Sequence, residues 1–333
     1  MNAARVALVL NGNAKSVTPE LIARLERGVE RGDVFVSRSL KEASDIASTI
    51  VDRGYDTVLS GGGDGTFTVT LTEMRRAARE KGASLPRFGV LKLGTGNAMA
   101  QVVGAAPVGT DAADEALRWL WRVQSSRELS MVETEGYVTP FAGIGADAEV
   151  LADYHRTRTL FKNTPLEAVA VGLPGYSLAA LTQSLPKYFL RGMPQIRVVN
   201  LGAPALRLDK RGQTLGPEIP RGGTIYEGAA RIAGVATIPY FGFNFRMFPF
   251  ADLRLDRMHL RISTVTPFQF ATHLAAIWKG TYFDDAAIFD YHVEGVRIEI
   301  EPGTDFQIGG DIHGKRTQFE AWRCQDPIRM VSY

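Results

Sequence analysis

The sequence predicts two domains of different class: an α/β N-terminal domain with a mostly parallel sheet over residues 1–128, and a C-terminal antiparallel β-sandwich-like domain over 129–333. Three observations predict this. Strand and helix patterns alternate as far as Arg122, which implies parallel strands with helices on both faces. From about Ser126 onward, short strand-like segments separated by turn residues dominate. The chain has 333 residues, about two domains of the usual ~100–200 residues each.

The N-terminal elements follow in order. Arg5–Leu10 is a β-branched and leucine run that ends at the turn signal Asn11-Gly12-Asn13. Thr18-Pro19-Glu20 opens a helix, with Thr18 as N-cap and Pro19 at the first helical position; Leu21, Ile22, Leu25 and Val29 form its apolar stripe. Asp33–Val36 reads as the second strand. Leu40–Val51 reads as a helix with Leu40, Ala43, Ala47 and Ile50 on one side. Asp56–Ser60 is a third strand, running into Gly61-Gly62-Gly63-Asp64-Gly65-Thr66 and a helix to about Gly82. Arg87–Leu93 is a fourth strand, running into Gly94-Thr95-Gly96-Asn97 and a short helix, and Asp111–Arg122 is an amphipathic helix.

In the second half the strand-like segments are Glu128–Glu135, Gln195–Val199, Arg231–Ile238, Met258–Ser263, Gly295–Glu301 and Thr317–Ala321. Helical patterns interrupt at about Thr164–Ser184 and Pro267–Lys279, and Asp209–Gly228 reads as an exposed loop. The apolar stretches Val169–Leu185 and Phe268–Trp278 read first as core, with an acyl-chain cleft or bilayer contact as the alternative. Arg156, Arg158, Lys162, Lys187 and Arg191 flank the first of them, where they would meet anionic headgroups or simply solvate the surface.

Composition excludes several classes. With 45% hydrophobic and 22% charged residues the chain is an ordinary globular one, neither disordered nor fibrous. Basic and acidic side chains number 38 and 36, so a net charge of +2 gives no whole-protein pull toward nucleic acid or an anionic bilayer. The single cysteine, Cys324, excludes an internal disulfide, fits a reducing compartment, and reads as a small buried hydrophobe. Val6–Leu10 is too short for a signal peptide, and Ala168–Pro186 is too interrupted by Gly172, Pro174 and Gly175 for a membrane span. The five histidines, His155, His259, His273, His292 and His313, lack metal-ligand spacing, although His313 follows Asp311 closely. Gly175-Tyr176-Ser177 is a poor nucleophile elbow, because no strand precedes it and no second glycine follows.

The chemistry-bearing feature is Gly61–Thr66. Three successive glycines after a strand leave backbone N–H groups unshielded, and the helix N-terminus that follows adds partial positive charge, as a phosphate cradle requires. No Lys-Ser or Lys-Thr follows, so this is not a Walker A loop; its place after the third strand and its spacing do not fit a dinucleotide fingerprint. The plainer alternative is a turn that needs glycine for its geometry alone. Gly94-Thr95-Gly96-Asn97 is a second such loop on the neighbouring strand, with Asn97 positioned to cap the next helix. Both loops, and Asn11, fall at the carboxyl edge of the sheet, where α/β sheets bind ligands. Asn11 fits either a turn residue or a ligand contact.

Asn11-Gly12-Asn13-Ala14, Gly61–Thr66 and Leu93-Gly94-Thr95-Gly96-Asn97, in this order, resemble the diacylglycerol kinase catalytic-domain superfamily, which includes bacterial lipid kinases, sphingosine kinases and ceramide kinases. Ala142–Ala148, Phe248–Asp256 and Gln307-Ile308-Gly309-Gly310-Asp311 extend the resemblance over nearly the whole chain. The resemblance implies an ATP-dependent, Mg2+-dependent lipid kinase of phospholipid or sphingolipid metabolism, cytoplasmic and peripheral on the inner membrane face, that meets its lipid at a membrane surface and binds no nucleic acid. Oligomeric state stays open, a homodimer included.

Carried over by position, Gly61, Gly62, Gly63, Asp64, Gly65 and Thr66 would hold the ATP phosphates. Gly94, Thr95, Gly96 and Asn97 would contact the nucleotide, with Asn11 bracing the site, and Ser37 matches a nucleotide-contacting threonine. Asp311 would accept the proton of the lipid hydroxyl, with Asp64 the other candidate for base or metal work. Leu253, Asp256 and Met258 would form a structural Mg2+ loop, mostly through backbone oxygens. Three departures stand out. Gly309-Gly310-Asp311 replaces Asp-Gly-Glu, Val69 beside Thr68 stands where glutamate is usual, and Arg257 follows Asp256 in place of glycine. An NAD kinase-like soluble-substrate kinase shares the first glycine motif, but the Asn-Glu pair of that family is missing. A catalytically impaired lipid- or nucleotide-binding protein is the rival of another class. As a plain reading of the residues, Asp311 also fits a glycine-flanked hairpin turn.

Overall fold

The computed structural model describes residues 5–28, 33–94, 97–105, 125–145 and 192–331. The sequence-predicted helices over 111–122 and 164–184, with Thr95, Gly96, Ala146–Ala148 and the basic residues from Arg156 to Arg191, lie outside the described residues.

The chain divides into two compact units. In the first, the elements run β1 (Val6–Asn11), α1 (Pro19–Gly28), β2 (Val34–Ser37), α2 (Leu40–Arg53), β3 (Thr57–Gly62), α3 (Asp64–Lys81), β4 (Arg87–Lys92), α4 (Ala98–Val102) and β5 (Ser126–Leu129). β7 (Tyr137–Thr139) and the late strand β17 (Ile328–Val331) complete it. The sheet order is β2-β1-β3-β4-β17-β5, parallel throughout except for the β17–β5 pair. Its central strands are buried on both faces, which is why β1 and β3 read as unbroken apolar runs rather than alternating ones. Leu8, Leu10, Leu59 and Leu91 are nearly or fully buried, each stabilising the unit by about 1.5–3 kcal/mol.

Local signals set the helix ends. Thr18 Oγ1 accepts from Leu21 N (3.2 Å), Ser39 Oγ accepts from Glu42 N (3.2 Å), and Gly54 closes α2 in the left-handed conformation. α3 buries Phe67, Leu71 and Met74, with Phe67 edge-on to Phe88. Its threonine side meets β7: Thr68 Oγ1 lies 3.1 Å from Thr139 Oγ1, and Thr72 Oγ1 accepts from Val138 N (3.0 Å).

The second unit holds β6 (Val132–Thr134), β8 (Phe141–Gly145), β9 (Gln195–Asn200), β10 (Leu206–Arg207), β11 (Thr224–Ala229), β12 (Ile232–Ala236), β13 (Met258–Ser263), α5 (Pro267–Thr272), α6 (Leu274–Trp278), β14 (Ile288–Val293), β15 (Gly295–Ile308) and β16 (Asp311–Arg323). Its sheet is antiparallel, in the order β10-β14-β13-β12-β8-β15-β16-β6, with β9 added on β15 and β11 on β9. β13 is buried along its whole length, polar residues included. There Arg261 donates twice to the Asp290 carboxylate (2.7 and 2.8 Å), and His259 Nε2 lies 2.9 Å from the same group. Burial opposes ionisation of Asp290, but the Arg261 guanidinium overrides it and holds that carboxyl well below the usual range. Burial likewise pushes His259 down, against the pull of Asp290.

Several elements differ from the sequence reading. Glu128–Glu135 is not one strand: the chain breaks at Ser130 and Met131, and the halves enter different units. Gly295–Glu301 and Thr317–Ala321 are parts of one long hairpin, β15–β16, whose bulged middle interrupts the alternation that sequence reading depends on. Asp209–Gly228 is irregular only to Gly223, since Thr224–Ala229 pairs with β9. A division at residues 128 and 129 assigns the last segment to the second part, whereas β17 pairs with β4 and β5. The Phe268–Trp278 stretch, read first as core, turns Phe268, Phe270 and Leu274 to the surface, where they are 73%, 41% and 44% exposed. Cys324 is fully buried, as expected of a small hydrophobe.

Candidate functional site

β1, β3 and β4 end side by side, which brings Asn11, Gly61–Thr66 and the Gly94–Asn97 loop to one sheet edge. The glycines are required by space. A Cβ on Gly62 would lie 2.3 Å from Thr66 Oγ1, and one on Gly94 would lie 2.2 Å from Gly63 Cα, so the two loops touch backbone to backbone. Gly63 caps α3 in an extended conformation, and the 18-residue helix directs its first N–H groups, which have no intrahelical acceptor, toward this edge. Thr66 Oγ1 accepts from Asn11 Nδ2 (3.0 Å), which ties the first strand end to the α3 turn. Asn11 Oδ1 also accepts from Asn13 N (2.9 Å), so Asn11 is both a turn former and a brace. Ser37 sits beside Asn11 in the parallel register, and its carbonyl accepts from Gly12 N (2.8 Å).

Asp64 has a role that the sequence did not disclose. Its carboxylate is 7% exposed and accepts from the backbone N–H groups of Ala98 (2.8 Å) and Met99 (3.0 Å). The first residue of α3 thus grips the start of α4 and fixes the second loop against the first. Nothing in the spacing signals a contact between residues so far apart in sequence. Asn97 differs from expectation too. It is left-handed (φ 49°) and makes no side-chain cap; its amide instead bonds back to Gly94, with Oδ1 accepting from Gly94 N at 3.2 Å and Nδ2 donating to Gly94 O. These contacts tie the two ends of the loop together. Gly65 lies in the first turn of α3, and Thr95 and Gly96 lie outside the described residues. A bare double loop at a helix N-terminus, with no space for a Cβ at its contact, fits the phosphates of a nucleotide.

In the second unit Asp311 follows a two-residue turn. Gly309 (φ 56°) and Gly310 (φ 87°) both adopt the positive φ that a type I′ hairpin needs, and Ile308 pairs with Asp311. Gly309 N donates to Phe141 O (3.0 Å), and Gly310 N donates to Gln307 Oε1 (3.1 Å). Asp311 is therefore an exposed carboxylate on a rigid tip. His313 stands two residues on, on the same side of β16 by strand alternation. Burial pushes its pKa down, while Asp311 and Glu135 pull it up. Glu135 receives a two-pronged contact from Arg316 (2.7 and 2.9 Å), which lowers its pKa. Glu135 and Arg316 carried no signal in the sequence, because they are 181 residues apart.

Leu253, Asp256 and Met258, expected to hold a structural cation mostly through backbone oxygens, lie in the turn before β13 and at its start. Leu253 is exposed, Met258 is buried at the start of β13, and the Asp256 carboxylate is taken by Arg254 Nε and Nη2 (2.9 and 2.7 Å). That contact holds its pKa below the usual carboxylate range. Among the described residues no cluster of three or more His, Cys, Asp or Glu side chains is arranged to hold a metal ion. The Asp256 side chain is therefore engaged by Arg254.

Residues 5–129 match the family model of the diacylglycerol kinase catalytic domain. Diacylglycerol kinase theta of Mus musculus and that of Rattus norvegicus are each 33% identical over 122 residues, which takes in 30% of this chain. The chain spans 13% of the length of those relatives. The crystal structure of a diacylglycerol kinase from Bacillus anthracis str. Sterne superposes with a TM-score of 0.63 at 15% identity, covering 100% of this chain and 98% of that one. The two-unit fold is therefore shared end to end. The segment with the paired glycine loops is the part of the chain that matches the diacylglycerol kinase catalytic-domain model. No helix among the described residues is long and apolar enough to cross a membrane.

Proposed function

We propose that this chain is an ATP-dependent lipid kinase, which transfers the γ-phosphoryl group to a hydroxyl of a diacylglycerol or a sphingoid- or ceramide-type lipid presented at a membrane surface. The observation that carries this reading is the coincidence of the family match over residues 5–129 with the paired glycine loops locked together through Asp64. In this reading Gly61–Thr66 and the α3 N-terminus receive the phosphates, Asn11 and Asn97 hold the two loops in shape, and Ser37 lines the same edge. Phosphoryl transfer is mostly a matter of positioning and charge neutralisation, and a divalent cation such as Mg2+ supplies part of that neutralisation when bound to ATP. The lipid oxygen bonds to the γ-phosphorus, the bond to the bridging oxygen breaks, and ADP leaves. The hydroxyl proton passes to Asp311. Asp311 is preferred to Asp64 as proton acceptor because the Asp64 carboxylate is buried and occupied by two backbone N–H groups.

The test is transfer of labelled γ-phosphate from ATP with Mg2+ to diacylglycerol, monoacylglycerol, sphingosine, ceramide and polyprenol in mixed micelles, with NAD alongside. A labelled lipid is the expected product. Labelled NAD alone moves the protein to a soluble substrate, and ATP binding without any product favours an impaired binding protein.

A further inference from the structure

β15 and β16 do not alternate evenly near their turn. Gln307 pairs with Ile312 and Asp305 with Lys315, so Phe306 alone stands opposite His313 and Gly314 together. This is a bulge, with Gly314 left-handed at φ 81°, and bulges re-aim side chains beside functional sites. The register shows what this one re-aims. Asp311 pairs with Ile308 and Arg316 with Thr304, two β15 residues that share a face. Without the extra residue, strand alternation would send Arg316 to the face opposite Asp311. With it, Arg316 joins Asp311 and His313, and its guanidinium lies over the Phe306 ring (5.8 Å). Arg316 donates to both carboxylate oxygens of Glu135 (2.7 and 2.9 Å), whose backbone sits at φ 47°, a conformation that is costly for a residue with a side chain. The half-buried His313 ring is thus acted on by Asp311 and Arg316 of its own strand and by Glu135 from the turn after β6. Lys315 and its partner Asp305 fall on the other face.

We propose that His313 is a positioning residue of the transfer reaction, which relays to solvent the proton that Asp311 takes from the lipid hydroxyl. This role rests on the kinase reading above. Burial favours the uncharged imidazole, whereas Asp311 and Glu135 favour its cation, so the ring is able to take up a proton and give it away again. The proton leaves the Asp311 carboxyl for the lone pair of the neutral ring and then passes to water. Asp311 returns to the carboxylate that the next hydroxyl requires, and no electrons are exchanged. Glu135 offsets the charge of Arg316, which would otherwise oppose protonation of the ring.

The test is the pH profile of kcat, from about pH 5 to 8, on the lipid that the parent phosphorylates, for the parent, His313→Gln, His313→Ala and Glu135→Gln. The parent should lose transfer as pH falls below the ordinary histidine value of ~6.5 and the ring becomes charged. His313→Gln should be roughly tenfold slower above that pH, with the acid limb gone. Added imidazole should restore transfer by His313→Ala, which a packing role would not allow. Glu135→Gln should move the acid limb to lower pH, because Glu135 raises the His313 pKa and the freed Arg316 lowers it. Equal urea midpoints at about pH 8 show that the variants are folded. A His313→Gln with the rate and profile of the parent overturns the proposal. So does a slower His313→Gln that keeps the acid limb, or a His313→Ala that imidazole leaves unchanged. Those failures, in a parent that turns over, remove the relay alone. No turnover by the parent on any lipid removes the kinase reading and the relay with it.

Discussion

Two aspartates divide the work at the scale of single residues. Asp64 is buried and spans two loops through Ala98 N and Met99 N, whereas Asp311 stands exposed on a turn. Their substitutions should therefore part company. Asp64→Asn keeps one acceptor but turns an amide N–H2 toward a backbone N–H, so it should cost about 1–3 kcal/mol of stability and also lower transfer. Asp311→Asn should leave stability within about 0.5 kcal/mol and lower transfer by ~10²-fold or more. Urea unfolding beside turnover measures both. Equal stability of the two variants would show that the Asp64 clamp contributes nothing, and full activity of Asp311→Asn would remove it as the proton acceptor.

Among the elements, the contact of the two glycine loops is the tightest. Gly94→Ala would place a methyl 2.2 Å from Gly63 Cα, where only backbone can yield. We expect a loss of about 1–3 kcal/mol and weaker ATP binding, read by denaturation and by titration calorimetry. This part of the fold was legible, because strand, glycine run and helix follow one another within a few residues at Gly61–Thr66 and again at Gly94–Asn97. The Asp64 clamp and the Glu135–Arg316 pair were not, since each joins residues that only the fold brings together. α5–α6 misled for a different reason. Apolar residues at helical spacing describe a face but not the direction in which it points, and Phe268–Trp278 has its apolar face outward. The β15–β16 hairpin was read short because its bulges break the period of two on which strand recognition rests.

On the scale of the whole molecule, the buried His259 and His292 and the half-buried His313 set how stability varies with pH. Burial lowers His259, His292 and His313 below their ordinary value. The unfolded chain therefore takes up protons near pH ~6.5 that the folded chain refuses, and stability must fall as pH drops through that value. Asp290 acts lower. Its folded pKa is depressed, so its contribution is present above the unfolded value of ~3.9 and is lost only below it. Unfolding midpoints in urea are expected to fall from pH 7 to pH 5 and to fall again below pH 4. A flat profile from 7 to 5 would mean that the histidines are protonated when folded. Asp290→Asn leaves Arg261 buried without its counter-charge and should destabilise the second unit by about 3–5 kcal/mol.

The strand β17 has a consequence for how the protein is made. The family match ends at residue 129, but the sheet that presents the glycine loops does not close there; Ile328–Val331 fills the gap between β4 and β5. On the ribosome, the loops emerge long before the strand that seals their sheet. Until then β4 has an open backbone edge and β5 has no strand to pair with. The first unit must wait for synthesis of nearly the whole chain. A chain ending at residue 129 should accordingly be a sticky, protease-sensitive fragment rather than a free-standing domain, and limited proteolysis of it beside the full chain would show whether that is so.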